Sequence, residues 1–317
     1  MIASASSFPA KILLFGEYTI LLGSSALSLP YPTFSAELTL SCADEMTSSR
    51  KQVTSNRHLF TFYNYLSGLG ETFEQIIDFE RFQHDLISGL FLLSTIPAGY
   101  GLGSSGALVA SVFDRFAIFP PSQDELATDE GMLRLKNIFS EMEAFFHGKS
   151  SGFDPFVSFL KIPLLLRQDG VPQQIKLTQG FLAGGAGIFL LDTGQTGKTA
   201  PLVKLFLDRF KPDGKITEEG RILVRLTNDI ISAFLDFSDH TFRDLMKRLS
   251  VIQSEEFKPM IPEKFLSLWS EGIESDLFYL KLCGSGGGGN LLGFAPDLIK
   301  ARTFLQDRGY YPILIPV

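Results

Sequence analysis

The stretch that most restricts how this chain can fold reads PAGYGLGSSGA, residues 97–107. Glycines at 99, 101 and 103 permit backbone conformations closed to other residues, so successive N–H groups can turn into one concavity. Ser104 and Ser105 then open a helix that carries Leu108, Val112 and Phe116 on one face. The strand LFLLST (90–95) precedes the loop. Strand, glycine loop and helix start together make a cradle whose free N–H groups and dipole favour an anion such as phosphate. On these residues alone, a glycine-rich turn with a serine cap stays open as the plainer reading.

Four further stretches carry possible chemistry. CGSGGGGNLLGF (283–294) lodges four consecutive glycines between apolar strands. So costly a run implies a close backbone approach, by a ligand or by another segment of the chain. HGKSSGFDP (147–155) sets Asp154 before Pro155 and an apolar run, the pattern of a helix N-cap followed by proline in the first turn. A catalytic carboxylate is the alternative reading of Asp154. In PAKILLFGEY (9–18), strand alternation puts Lys11 and Glu17 on one face with Leu13 and Phe15, as functional charges or as a simple pair. DTGQTGKT (192–199) ends like a P-loop, but Asp192 occupies the position that requires glycine, so the segment reads as a loop feeding a helix.

The chain has 317 residues, room for two domains of ordinary size. Its net charge of −7 argues against nucleic acid as a partner but leaves room for a small phosphorylated ligand. No apolar run is long enough to cross a bilayer, and the N-terminus lacks a signal-peptide pattern, so a cytoplasmic protein without a membrane partner is expected. Cys42 and Cys283 are too few for a disulfide framework, and the four histidines show no zinc spacing, which leaves a hard, oxygen-bound ion as the only metal to expect.

Strands are expected at 11–18, 33–40 and 90–95, with 43–58 as a mobile loop or hairpin. Helices are expected over 71–87, from Ser104, over 124–146 and over 155–161. In the longer of these, Glu143 lies one turn from Phe139 and Phe146 and so points toward the packed side. The second half alternates strand 187–192, helices 198–211, 215–236 and 239–254, strands 276–283 and 290–295, helix 297–307 and strand 311–316. Such mixing implies α+β layers, one domain in each half, with the boundary in GFLAGGAG (180–187) and domains at 1–178 and 179–317.

Three of these signatures, in this order, resemble the GHMP kinases, the family of galacto-, homoserine, mevalonate and phosphomevalonate kinases. PAKILLFGEYTILLGSSALSLP resembles the first motif, IPAGYGLGSSGA matches the second nearly letter for letter, and KLCGSGGGGNLLGF looks like the third. The resemblance spans residues 9–294 and implies a two-domain α+β fold, N-terminally like ribosomal protein S5 domain 2 and C-terminally ferredoxin-like, with ATP and Mg²⁺ in the cleft. EAFFHGKSSGFD, residues 143–154, resembles the mark of mevalonate kinases, most like a bacterial one.

Carried over residue by residue, the resemblance makes Asp154 the catalytic base and Lys11 the lysine beside the reacting hydroxyl. Ser105 and Glu143 become metal ligands. Pro97, Gly99, Gly101, Leu102, Gly103, Ser104, Ser105 and Gly106 become the nucleotide cradle. Glu17, Tyr18, Lys149, Ser151, Gly152, Thr199 and Gly286 line the substrate side, with Lys149 and Lys198 as cations for a phosphorylated acceptor. Tyr18 stands where mevalonate kinases commonly have histidine, and GEY is at home in phosphomevalonate kinases. The implied activity is phosphorylation of a small-molecule alcohol, mevalonate, by Mg-ATP. Phosphomevalonate kinase, a sugar kinase of the family and a non-catalytic regulator are the alternatives. A homodimer is compatible with the resemblance, although the sequence fixes no oligomeric state.

Overall fold

A computed structural model describes residues 6–40, 49–177, 185–197, 199–236 and 238–315. In the first half β1 (Ser7–Phe15) lies antiparallel to β2 (Ala26–Leu40) along most of its length. The far edge of β2 is shared by β3 (Leu90–Ser94) and β4 (Leu164–Leu166), and β5 (Pro172–Gln174) pairs with β4. Helices α1 (Arg50–Ser67), α2 (Glu71–Glu74), α3 (Phe79–Ile87), α4 (Ser104–Phe116), α5 (Gln123–Leu126), α6 (Asp129–His147) and α7 (Phe153–Leu160) complete this half.

In the second half β7 (Tyr279–Leu282), β8 (Asn290–Ala295), β6 (Gly187–Asp192) and β9 (Ile313–Ile315) form an antiparallel sheet in that spatial order. Around it lie α8 (Thr199–Phe210), α9 (Glu218–Leu235), α10 (Asp239–Glu256), α11 (Leu266–Ser275) and α12 (Leu298–Gln306). β6 is apolar at every position but its last because both its faces are covered. Ile188 and Leu190 enter a core shared with β1, β2, α9 and α10, whereas Phe189 and Leu191 enter one with α8 and α11. The shared core joins the halves: Phe8, Ile12 and Leu29 lie in the same cluster as Ile230, Met246 and Leu292.

The expected loop over 43–58 is corrected from residue 49 onward, where α1 begins. Ser49 and Gln52 form a reciprocal capping box, and Leu59, Phe62 and Leu66 bury the helix further along. Residues 41–48 lie outside the described residues, as does the expected boundary at 178–179. The helix expected over 71–87 is broken, because Ile77 bridges to Ala117 and Asp78 caps α3 afresh. The one expected over 124–146 is divided at Thr128, whose side chain caps α6. α11, which sequence periodicity does not announce, packs Leu268 and Trp269 beneath the second sheet. Among the described residues no helix is long and apolar enough to cross a membrane.

Candidate active site

Lys11 points from β1 toward the helices, and its backbone N–H donates to the Leu102 carbonyl at 3.0 Å. Its aliphatic stem lies across Gly103, so strand and glycine loop are fixed to one another. The ammonium ends 2.9 Å from Oδ2 of Asp154. Burial works against the charge on Lys11, but the charge and hydrogen bond of Asp154 outweigh it, leaving the ammonium to titrate above the ordinary lysine value.

Asp154 is not the N-cap that its neighbour Pro155 suggests. Gly152 caps α7 in a left-handed conformation (φ 71°), and Asp154 falls in the first helical turn. Its carboxylate is thereby released from local capping to meet Lys11, at a helix end whose dipole favours negative charge. α4 and α7 touch at Gly106, where a Cβ would stand 2.8 Å from the backbone of Asp154 and Pro155. The small residue after the serines therefore sets how near the carboxylate comes to the helix start.

Ser104 and Ser105 open α4, but Gly103 is its N-cap and no side chain caps it, so the serine-cap reading is corrected. The Ser105 hydroxyl donates instead to Oε1 of Glu143 at 3.0 Å, and the Ser150 hydroxyl donates to Oε2. Ser150 in turn accepts from the Gly152 N–H at 3.0 Å. Glu143 is buried on α6, and burial, reinforced by the charge of Asp154, pushes its carboxyl up to about 7. Two carboxylates and a serine hydroxyl offer only hard oxygen donors. Among the described residues no set of three or more His, Cys, Asp or Glu could hold a metal. Such sparse, oxygen-only ligation fits a magnesium ion that keeps waters and shares phosphate oxygens.

Glu17 and Tyr18 take different positions from those the alternation suggests. The register of β1 shifts between Leu13 and Phe15 and the strand ends there, so Glu17 leaves the face of Lys11. Its carboxylate meets Lys281 Nζ at 2.5 Å, both side chains being buried. The space beside this pair is about 10 Å³, at the limit for one water and too small for an acceptor. The Tyr18 hydroxyl donates to the Ser285 carbonyl, and its ring packs on Phe206 at 4.9 Å. The polar ends of both side chains are thus taken up by partners within the protein, Lys281 for Glu17 and the Ser285 carbonyl for Tyr18.

Pro97 is half-buried at the start of the glycine loop, Gly99 is exposed, and Leu102 is buried behind it. Lys149 and Ser151 are exposed between α6 and α7, with Ser151 accepting from the Phe153 N–H. Gly286 lies in the β7–β8 turn, where the Gly287 N–H donates to the Met260 carbonyl at 2.6 Å. Thr199 opens α8, its side chain lying outside the described residues together with Lys198. The open question at the glycine run resolves to chain: the Gly289 N–H donates to the Gln195 carbonyl at 2.6 Å, and the Gly289 carbonyl accepts from the Thr193 hydroxyl at 2.7 Å. Sequence reasoning missed Ser150 and Lys281. The signal for Lys281 was a lysine amid an apolar strand, whereas nothing distinguished Ser150 from its neighbour Ser151.

No protein-family model matches the chain. It is 24% identical to a mevalonate kinase of Thermococcus sibiricus, over 98% of this chain and 95% of that one. Its fold matches the crystal structure of the Methanococcus jannaschii mevalonate kinase with a TM-score of 0.62 at 17% identity, covering 99% and 98% of the two chains. It matches Streptococcus pneumoniae phosphomevalonate kinase, bound to phosphomevalonate and AMPPNP, with a TM-score of 0.62 at 18% identity, covering 99% and 100%. With the glycine loop, the lysine–aspartate pair and the third glycine turn in one ordered cluster, the chain has the fold of the GHMP kinases and is similar in sequence, along nearly its whole length, to curated mevalonate kinases.

Proposed function

We propose that the protein transfers the terminal phosphoryl group of ATP to the primary hydroxyl of mevalonate. The observation that carries this is the Lys11–Asp154 pair, set between the GLGSS helix start and the buried Glu143. The choice of acceptor rests on the curated relatives, four archaeal mevalonate kinases 24–26% identical over at least 97% of this chain.

Phosphoryl transfer asks a protein for positioning and charge neutralisation more than for covalent chemistry. The N–H groups of the 99–105 loop and the first turn of α4 hold the phosphates. Asp154 accepts the proton of the acceptor hydroxyl as its oxygen bonds to phosphorus. The bond to the bridging oxygen breaks, and its electron pair leaves with ADP. Lys11, with its ammonium 2.9 Å from that carboxylate, stabilises charge developing on the attacking oxygen. Glu143, oriented by Ser105 and Ser150, would hold magnesium with the Ser105 hydroxyl. The ion, when bound, neutralises charge on the transferring group.

Coupled ADP release, measured with mevalonate, phosphomevalonate and galactose side by side, tests the proposal. Turnover with mevalonate at least about tenfold above the others in kcat/KM is expected, a difference worth about 1.4 kcal/mol in the transition state. Preference for phosphomevalonate would move the chain to the sibling activity and give the exposed Lys149 an acceptor role. Absence of turnover with every alcohol would leave a non-catalytic member of the superfamily.

A further inference from the structure

The GEY segment and the third glycine motif are bonded to each other at two places. Lys281, at the centre of the buried strand β7, donates to Glu17 Oε1 at 2.5 Å and to the Leu282 carbonyl at 2.7 Å. Three residues beyond Leu282, the Ser285 carbonyl accepts from Tyr18. Tyr18 is held at φ 63°, outside the regions L-residues favour, a conformation costing of order 1–3 kcal/mol. Its ring packs against Phe206 and Phe257, and its hydroxyl reaches the turn.

That turn is also where the phosphate loop comes to rest. A Cβ on Gly101 would stand 2.9 Å from the Cys283 carbonyl, and one on Gly289 would stand 2.8 Å from Tyr100 Cα. The 283–289 turn thus touches the backbone of the 99–103 loop on one side and GEY on the other. The turn that carries Ser285 therefore meets Tyr100 and Gly101 backbone to backbone, through Cys283, Gly284 and Gly289.

From these contacts we infer that Tyr18 and the Glu17–Lys281 pair are positioning residues for nucleotide, setting the phosphate loop through the 283–289 turn. They act on the nucleotide and leave the acceptor untouched. The inference rests on the kinase reading but not on which alcohol is phosphorylated. Removing only the hydroxyl, in Tyr18→Phe, keeps the ring packing and deletes one partly buried hydrogen bond. A net loss typical of such a bond corresponds to about three- to tenfold weaker nucleotide binding.

Calorimetric titration of the full chain with a non-hydrolysable ATP analogue and Mg²⁺, without acceptor, reads this directly. Tyr18→Phe is expected to weaken the analogue by that factor and to raise the KM for ATP in parallel. The KM for mevalonate at saturating ATP and kcat should both stay within about twofold. Glu17→Gln, which keeps an acceptor for Lys281, should move the same constant in the same direction. A raised KM for mevalonate with unchanged analogue binding would make Tyr18 an acceptor contact and overturn the inference, as would no change in either. If the unsubstituted protein binds the analogue and both variants bind it equally, the inference fails while the kinase reading stands. If the unsubstituted protein binds no nucleotide, the kinase reading itself falls and takes the inference with it.

Discussion

Lys11 and Asp154 meet at 2.9 Å with unequal exposure, 5% for the lysine side chain and 33% for the aspartate. The cation is enclosed and fixed by its strand, while a third of the aspartate side chain remains open to solvent. A buried positive charge beside a half-open carboxylate suits a base that must be ionised yet reachable. Asp154→Asn should therefore lower kcat by about 10²–10⁴-fold, the usual contribution of a general base. The asparagine keeps the size of the side chain, so calorimetric binding of an ATP analogue should change by less than about threefold. Near-normal turnover in the purified variant would remove Asp154 from the role.

Glu143 receives a hydroxyl on each carboxylate oxygen, from Ser105 and Ser150. Partners that orient a metal-binding carboxylate typically change metal affinity by 10–100-fold when removed. Ser150→Ala should accordingly raise the Mg²⁺ concentration needed for half-maximal turnover by about tenfold, and excess chelator should abolish turnover reversibly. Glu143→Gln should raise that requirement further. An unchanged magnesium dependence in both variants would place the ion elsewhere.

Much of this cluster is legible in the sequence because glycine and charge patterns are strict, and what the sequence hides is tertiary. Glu143 reads as inward from its helical neighbours alone, and it is buried. Asp154 reads as a cap because Asp-Pro is a common helix opening, yet Gly152 supplies the left-handed turn that makes a side-chain cap unnecessary. Lys11 and Glu17 read as one face because alternation assumes an unbroken strand, and the register shift near Phe15 separates them. The polar stretch 49–58 reads as loop because its helix is justified only further on, at Leu59, Phe62 and Leu66. The glycine run could have faced a ligand or a chain segment, since glycine permits close approach without naming what approaches.

Gly106 connects packing to chemistry. With a methyl group built there 2.8 Å from both Asp154 C and Pro155 N, neither of which is a flexible side-chain end, α7 must move. Gly106→Ala should cost about 1–3 kcal/mol by overpacking and lower the thermal midpoint. Turnover should fall more than stability suggests, because a base displaced by about 1 Å can lose about 10²-fold in rate. A variant with normal kcat and a normal midpoint would show that the α4–α7 approach does not set the position of Asp154.

Cys283 sits at the junction of β7 and the glycine turn, buried, and burial pushes its thiol up to about 11 from an ordinary 9.0 despite the nearby lysines. The folded state thus binds this proton more tightly than the unfolded chain. The resulting stabilisation is fully present below pH 9 and is lost as pH rises through 11. Two units correspond to about 2–3 kcal/mol. Cys283→Ala removes the titrating group at the cost of a small void, so it should be the less stable protein at pH 8 in urea denaturation. Between pH 8 and 11 the difference should shift in favour of the alanine variant by about that amount. A difference independent of pH would mean that the thiol titrates normally and that water reaches the turn, in which case the backbone contacts joining it to the phosphate loop are looser than their distances imply.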